Sequence, residues 1–228
     1  MSAWKIDIPP RDASPTVRLV LVRHGQTSWN ATGLIQGHQG PGLNATGTAQ
    51  AETVAQQLLQ RFPNPDLVVS SDLTRCTDTA APYMNQLSQP LQLDPRLREI
   101  DNGDWSGHTT ATIAIEHAET IDRIRHGEDL PRGGGETTAQ LRSRTRTFTR
   151  ELRDRAAQHP ADREFTVVAF SHGGTIRALF AETFDLPDGL QLFGPVHNCA
   201  VSILQLYGND TAVVNQYNQH PIYPTPEN

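Results

Sequence analysis

Three short motifs in this chain carry side chains that suit phosphoryl chemistry. Arg23 and His24 follow one apolar run, Arg75 lies shortly after a second, and His172 follows a third. An imidazole can act as a nucleophile, and the planar fork of arginine matches the oxygens of a phosphate group. Glu99 adds a carboxylate that can give and take a proton. Together these five residues are a set of groups for phosphoryl transfer without a metal ion.

The three motifs stand at the carboxyl ends of predicted buried strands. Residues 17–22, 67–70 and 165–170 are short apolar runs rich in β-branched residues. In open α/β sheets ligands collect at the carboxyl ends of the strands, so we expect the motifs to meet at one edge. Each motif alone is more typical of a surface loop or a turn. Their joint occurrence at three strand ends favours a site.

Stretches with helical periodicity alternate with these strands. The alternation predicts an α/β protein, a three-layer α/β/α sandwich with a mostly parallel central sheet and some antiparallel pairing near the C-terminus. We expect Asp72 to cap the helix that contains Arg75, Glu136 to lie at a helix N-terminus, and the six arginines within 142–155 to form a solvated face. Helices are predicted at 44–62, 72–86, 110–125, 137–159 and 174–184, with further strands at 91–93, 200–207 and 211–217.

The composition limits the classes of function. The chain has 228 residues, a formal net charge of −6, and Lys5 as its single lysine among 19 cationic residues. A P-loop or a Schiff-base mechanism needs a lysine, which only the N-terminal tail could supply. The acidic balance argues against nucleic-acid and anionic-membrane partners. No apolar run is long enough to span a membrane, no metal-ligand pattern such as H-E-x-x-H is visible, and we expect neither a metal nor a cofactor.

The expected domain organisation is simple. Residues 1–16 are interpreted as a flexible arm without a signal peptide, 17–218 as one domain, and 219–228 as a loose tail. Residues 100–135 are the least regular part and are predicted to form a lid or a specificity segment. Two distant cysteines cannot form a disulfide framework, which favours a cytoplasmic location. The oligomeric state stays open, with a homodimer as one option.

The sequence around His24 resembles the signature of the histidine phosphatase superfamily, which has the phosphoglycerate-mutase-like fold. The ten residues LVRHGQTSWN at 21–30 carry the first match, with Gln26 where many relatives have Glu. The similarity keeps the family's order over residues 17–207 and therefore implies the family's fold and chemistry. Its further positions are 36–37, 70–75, 79–80, 97–99, 103–107, 134–136 and 171–174.

The resemblance implies a role for each site residue. His24 would attack phosphorus and form a phosphohistidine, while a backbone carbonyl, that of Gly25, holds its other ring N–H. Glu99 would protonate the leaving oxygen and then take a proton from the hydrolytic water. The phosphate would be bound by Arg23, Arg75, His172, Asn30 and the N–H of Gly173, with Gln36 and Gly37 lining the mouth of the site.

Three interpretations of function stay open on this fold. The preferred one is a metal-independent phosphatase that acts on a small phosphomonoester, with sugar phosphates among the candidates. A cofactor-dependent phosphoglycerate mutase is the alternative, although residues 108–122 contain no Arg or Lys where such mutases carry a basic insert. The third is a non-catalytic binding protein. The intact set of Arg23, His24, Arg75, Glu99 and His172 disfavours that last interpretation.

Overall fold

Six strands form one mixed sheet in the computed structural model of the chain, which describes residues 16–160, 163–187, 192–208 and 211–221. The strands are β1 (Val17–Arg23), β2 (Leu67–Ser70), β3 (Gln92–Leu93), β4 (Phe165–Ser171), β5 (Val201–Leu206) and β6 (Ala212–Gln219). Their order across the sheet is β3-β2-β4-β1-β5-β6. The first four strands run parallel, whereas β5 is antiparallel to β1 and β6 is antiparallel to β5. The predicted sheet is confirmed.

Helices connect most of the strands, and two of them begin where the sequence indicates. Asn44 caps its helix by accepting a hydrogen bond of 2.8 Å from the N–H of Gly47, and Thr137 forms a capping box with Gln140. The α-helices of the described residues are α1 (Ser28–Ala31), α2 (Ala45–Arg61), α3 (Thr74–Met84), α4 (Thr110–Glu116), α5 (Ala118–Arg125), α6 (Thr138–Ala157) and α7 (Gly173–Thr183).

The long helices cover both faces of the sheet. Side chains alternate along β1, so Leu19 and Leu21 pack in the core formed with α6 and α7, whereas Val20 and Val22 pack in the core formed with α2 and α3. Each of these side chains is fully buried, which contributes about 1.5–3 kcal/mol relative to exposure. The three-layer α/β/α sandwich is therefore confirmed.

The beginning of α3 differs from the expectation. Leu73 is the N-cap residue, and no side chain caps this helix. Asp72 instead forms an ion pair with Arg98, because the charged fork of an arginine offers a carboxylate stronger hydrogen bonds than a backbone N–H does. The prediction that Asp72 caps the helix is wrong. The pair ties the start of α3 to the segment that carries Glu99.

The carboxyl ends of β1, β2 and β4 lie side by side. Arg23 pairs in register with Ser171, and Ser70 pairs with Phe170. The residues that directly follow these strands are therefore brought to one edge of the sheet, as the sequence predicts.

Parts of the predicted organisation fall on residues that the structure does not describe. Residues 1–15 of the predicted arm and 222–228 of the predicted tail lie outside the described residues, as do residues 209–210 between β5 and β6. Residues 100–135 contain α4, α5 and short 3₁₀ turns, and their role as a lid or specificity segment stays a prediction. Within the described ranges, no helix is long and apolar enough to cross a membrane.

Candidate active site

His24 lies directly after β1 and is almost completely buried, with 3% of its surface exposed. Its Nδ1 lies 2.8 Å from the carbonyl oxygen of Gly25. A carbonyl can only accept, so Nδ1 carries the ring proton and Nε2 keeps a free lone pair. Burial, together with the charges of Arg23 and Arg75, holds the pKa of this imidazole well below its usual value. His24 is therefore neutral with an unprotonated Nε2, which is the form that a nucleophile needs, and the expected bond to Gly25 is confirmed.

Two arginines next to His24 are anchored to backbone carbonyls. Arg75, in the first turn of α3, donates to the carbonyl oxygens of Gly37 (2.7 Å) and Gln39 (3.3 Å). Arg23 donates through Nη1 to the carbonyl of Val196 (2.6 Å), while its Nε is buried without a partner in the described part of the chain.

Neither Arg23 nor Arg75 has a carboxylate partner within ion-pair distance among the described residues. Burial lowers the pKa of both guanidinium groups, yet an arginine stays charged in proteins. Arg75 is buried and Arg23 is half-buried, and cations at such positions without a directly paired carboxylate are costly unless a bound anion compensates them. The arrangement therefore favours binding of a phosphate.

The second histidine, His172, contacts protein groups through both ring nitrogens. Its Nδ1 accepts from Nε of Arg75 (3.2 Å), so Nε2 carries the proton and donates to the hydroxyl of Ser71 (2.9 Å). The rings of His172 and His24 are 5.1 Å apart. The pKa of His172 lies well below its usual value, mainly because the ring is buried and next because of the charge of Arg75. In this arrangement both ring nitrogens of His172 contact protein groups, and Nδ1 orients Arg75.

Two further donors have no acceptor among the residues that the structure describes. The side-chain oxygen of Asn30 accepts from the N–H of Thr27 (3.1 Å) and from Nδ2 of Asn198 (3.2 Å), which fixes the amide and leaves its NH₂ group as the donor. The N–H of Gly173 begins α7, a helix of 11 residues, and has no acceptor among the described residues. Both donors suit an anion at the helix N-terminus.

Gln36 and Gly37 lie in the loop that anchors Arg75. The side-chain oxygen of Gln36 accepts from the hydroxyl of Thr27 (3.1 Å), and the carbonyl of Gly37 accepts from Arg75 (2.7 Å). Asn102 donates to the carbonyl of Gln36 (2.8 Å). These contacts hold the loop that anchors Arg75, so the structure places Gln36 and Gly37 as partners of Thr27 and Arg75.

Glu99 reaches the same edge next to the N-terminus of α7. Its carboxylate accepts from the N–H groups of Gly174 and Ile100, at 2.9 Å each, and from the hydroxyl of Thr175 at 3.3 Å. A Cβ atom on Gly174 would lie 2.3 Å from a carboxylate oxygen, so only glycine allows this approach. The negative charge of Glu99 interacts with Arg23 and Arg75. An acid–base group thus lies next to the candidate phosphate pocket.

The segment that carries Glu99 is held by an arginine that the sequence does not single out. Arg144 donates to the carbonyls of Arg96 (2.7 Å), Arg98 (2.6 Å) and Glu99 (2.9 Å). It also pairs with Glu136 at 2.9 Å. Arg144 is therefore not part of a solvated face, and that prediction is wrong for this residue. One guanidinium with five donors can hold three carbonyls and a carboxylate at once.

Glu136 also differs from its expected place. It precedes Thr137, the N-cap of α6, and so lies outside the helix. Its carboxylate pairs with Arg144 and accepts from the N–H of Asp101 (2.9 Å). Burial acts to raise the pKa of Glu136, but the hydrogen bond from Arg144 brings it below the usual value. The ion pair replaces the helix dipole as the interaction that fixes this carboxylate.

Asn198 is a second residue that the sequence does not indicate. Its amide donates to the carbonyl of His24 (3.0 Å) and to the side chain of Asn30 (3.2 Å). It follows no predicted strand end and lies 174 positions from His24. Only the antiparallel pairing of β5 with β1 brings it there.

The described residues contain no group of three or more His, Cys, Asp or Glu side chains that could hold a metal ion. The groups gathered at the sheet edge are a neutral imidazole, two uncompensated arginines, two free N–H donors and a carboxylate. This set can transfer a phosphoryl group by covalent catalysis with acid–base assistance.

The chain is similar to several known phosphatases. The family model of the histidine phosphatase superfamily (branch 1) matches residues 19–219. The glucosyl-3-phosphoglycerate phosphatase of Mycolicibacterium vanbaalenii is 36% identical over 199 residues, 86% of each chain. The metal-independent phosphoserine phosphatase of Arabidopsis thaliana is 30% identical over 89% of this chain and 81% of its own length. A solved structure of a mycobacterial glucosyl-3-phosphoglycerate phosphatase with VO3 has a TM-score of 0.77 and 32% identity, and covers 89% of this chain and 98% of its own.

Proposed function

This chain belongs to the histidine phosphatase superfamily and is a phosphatase that acts on a small phosphorylated metabolite, and we propose that it hydrolyses a phosphomonoester through a phosphohistidine on His24. The observation that carries this proposal is the neutral imidazole of His24, whose Nδ1–H is fixed by Gly25 and whose Nε2 is free beside two uncompensated arginines.

In the first step, Nε2 of His24 attacks phosphorus in line with the ester oxygen. The N–P bond forms as the P–O bond to the organic group breaks, and Glu99, which enters this step in its protonated form, gives its proton to the leaving oxygen. Arg23 and Arg75 stabilise the charge on the non-bridging oxygens, and Asn30 and the N–H of Gly173 add two donors.

In the second step, Glu99 takes a proton from a water molecule, whose oxygen attacks phosphorus. The N–P bond breaks, inorganic phosphate leaves, and His24 returns to its neutral form with the same tautomer. The hydrogen bonds from Gly174, Ile100 and Thr175 keep the carboxylate of Glu99 in one place through both steps.

His172 acts through Arg75 in this proposal. Its Nδ1 accepts from the guanidinium and so fixes the orientation of the fork, while Ser71 fixes the tautomer of the ring. A direct hydrogen bond from His172 to the phosphate stays a prediction. A cytoplasmic location and a homodimer likewise stay predictions.

Rapid quenching of the enzyme with a ³²P-labelled phosphomonoester tests the intermediate. The wild type should carry label that is stable in base and released by acid, as expected of a phosphoramidate. His24→Ala should carry none and should lose release of p-nitrophenol from p-nitrophenyl phosphate, whereas His126→Ala, at an exposed position directly after α5, should behave as the wild type. Unchanged turnover in His24→Ala would refute the nucleophile.

A second experiment tests the mutase alternative. The enzyme is incubated with 3-phosphoglycerate and 2,3-bisphosphoglycerate, and the products are separated. A phosphatase yields inorganic phosphate, whereas a mutase yields 2-phosphoglycerate without net loss of ester.

A further inference from the structure

A cavity of about 190 Å³ lies directly beside the candidate active site. Its lining includes Gly127 and Arg132 from the segment after α5, Leu141 from α6 and Arg177 from α7. Gly174, whose N–H binds the carboxylate of Glu99, is part of the wall. A group in this cavity is therefore next to the carboxylate that serves the leaving oxygen.

Two arginines of this cavity lack a full set of partners. The side chain of Arg132 makes no hydrogen bond or ion pair within the described residues, and Arg177 makes one long hydrogen bond, from Nε to the carbonyl of Gly173 (3.4 Å). Burial lowers the pKa of Arg132, and the charge of Arg177 acts in the same direction. Two cations held near each other in a partly enclosed cavity favour an anion between them.

The acidic residues of the same cavity are already engaged. Glu128 forms an ion pair with Arg123 at 2.6 Å, and the carboxylate of Asp129 accepts from the N–H of Ala139 at 3.2 Å. Asp129 also interacts electrostatically with Arg132, but without a hydrogen bond or ion pair to it. The cavity therefore keeps donor capacity that its own carboxylates do not use.

The two arginines also lie close to the reacting groups. The charge of Arg132 interacts with Glu99, and the charge of Arg177 interacts with Arg23. Arg177 is one helical turn after Gly173, whose N–H faces the candidate phosphate pocket. An anion bound by these arginines would be a near neighbour of the phosphate ester, within the same small molecule.

We propose that Arg132 and Arg177 bind a second anionic group of the substrate, so that this enzyme selects phosphomonoesters that carry a carboxylate or a further phosphate near the ester. The proposal rests on the phosphatase function proposed above. The two cations of this second site lie after α5 and on α7. They do not lie within residues 108–122, where phosphoglycerate mutases carry a basic insert. Apolar side chains, among them those of Ile100, Leu141 and Ala178, also line the cavity and fit the carbon skeleton.

The test compares substrates that differ in one group. 3-Phosphoglycerate and glycerol 3-phosphate share a three-carbon skeleton, with a carboxylate in the first where the second has a hydroxymethyl group. Fructose 1,6-bisphosphate and fructose 6-phosphate form the arm for a second phosphate. The selectivity is the ratio of kcat/KM for the doubly anionic substrate to that for its partner, and the arm with the higher ratio identifies the preferred anion.

The variants are Arg132→Gln and Arg177→Gln, with Arg132→Lys and Arg177→Lys as conservative replacements. Arg125→Gln is the matched control, because Arg125 is exposed on α5 and its replacement by glutamine changes the net charge by the same amount. The wild type and the control should favour the doubly anionic substrate. In the glutamine variants the ratio of the two kcat/KM values should fall about 10- to 100-fold, which corresponds to the free energy of a hydrogen bond to a charged group. The lysine variants should recover part of the ratio.

Two failures are distinguishable. If the wild type releases phosphate but shows no preference, or if the ratio is unchanged in both glutamine variants with intact melting temperatures, the anion site is refuted and the phosphatase stands. If the wild type forms no phosphohistidine and releases no phosphate from any substrate, the proposed function is refuted and the anion site with it.

Discussion

The candidate phosphate pocket and the cavity beside it each contain two arginines, but the protein holds the two pairs differently. Arg75 is 2% exposed and donates to two carbonyls and an imidazole, and Arg23 donates to a third carbonyl. The side chains of Arg132 and Arg177 together make one long hydrogen bond within the part of the chain that the structure describes. The first pair is fixed before the substrate arrives, as electrostatic stabilisation of a transition state requires.

The second pair can adjust to the molecule that carries the phosphate. A group that only has to recognise the organic part need not be fixed so tightly, and its loss should alter the choice of substrate rather than the chemistry. The difference in anchoring therefore separates a reaction pocket from a specificity pocket. Glu99 lies where the two regions meet, since its charge interacts with arginines of both pairs.

Glu99→Gln should give the largest of the effects that test this separation. Without an acid, a poor leaving group such as an alkyl alcohol must depart as an alkoxide, so kcat should fall about 10²- to 10⁴-fold. With p-nitrophenyl phosphate, whose leaving group needs little protonation, the loss in the first step should be much smaller. Steady-state kinetics with both esters measure the difference, and equal losses would argue against Glu99 as the acid.

The same arginine-to-lysine change in each region gives a direct comparison. Arg75→Lys removes the fork that spans Gly37, Gln39 and His172, so kcat/KM should fall about 10²-fold for every phosphomonoester. Arg132→Lys should cost only several-fold, and only with doubly anionic substrates. A uniform loss in both variants would remove the distinction between the two pockets.

Arg144→Lys should have a smaller effect that is confined to the acid. A lysine cannot hold the carbonyls of Arg96, Arg98 and Glu99 together with Glu136, so the segment of Glu99 loosens. We expect kcat to fall about 10- to 30-fold with an alkyl phosphate and less with p-nitrophenyl phosphate, because the residue acts through Glu99.

A double-mutant cycle with Glu136→Gln separates this role from a general loss of stability. The two changes should be non-additive in kcat, since both act on one ion pair. Arg150→Lys, on an exposed position of α6, serves as the matched control. If Arg144→Lys lowered the melting temperature without the difference between the two esters, its role would be structural only.

The sequence predicts the phosphate pocket better than the parts that hold it. Arg23, His24 and His172 follow apolar runs that form adjacent parallel strands, so local pattern and one topological rule are enough to bring them together. Arg144 and Glu136 are different. Arg144 is one of six arginines on α6, and nothing in its local sequence distinguishes it from the exposed Arg146 and Arg150. Its contacts depend on how the loop at 96–99 packs against α6, which only the tertiary structure fixes.

Arg132 and Arg177 illustrate the same limit for specificity. They are 45 positions apart in sequence, and neither lies in the stretch where a basic insert is expected. The cavity that joins them forms because residues after α5 pack across α7. Similarly, the hydrogen bonds of His172 to Arg75 and Ser71 are decided by ring orientation in a packed interior, which a residue type alone does not reveal.

The response to acid should distinguish the two regions once more, in stability rather than in rate. The pKa values of His24 and His172 are lowered in the folded protein, first by burial and then by nearby arginines. Below about pH 6.5 the unfolded chain therefore binds protons that the folded chain does not, and the free energy of unfolding falls as the pH decreases.

Each histidine should contribute a slope of about 1.4 kcal/mol per pH unit below that point, until its folded-state pKa is reached. Urea unfolding between pH 5 and 6.5 measures this slope. The pKa values of Asp72, Glu136 and Glu182 are lowered, so these carboxylates become protonated only below this pH range. His172→Gln should remove one histidine's share. Arg132→Gln should leave the slope unchanged, because an arginine does not titrate there. An equal change in both variants would mean that acid sensitivity is not a property of the phosphate pocket.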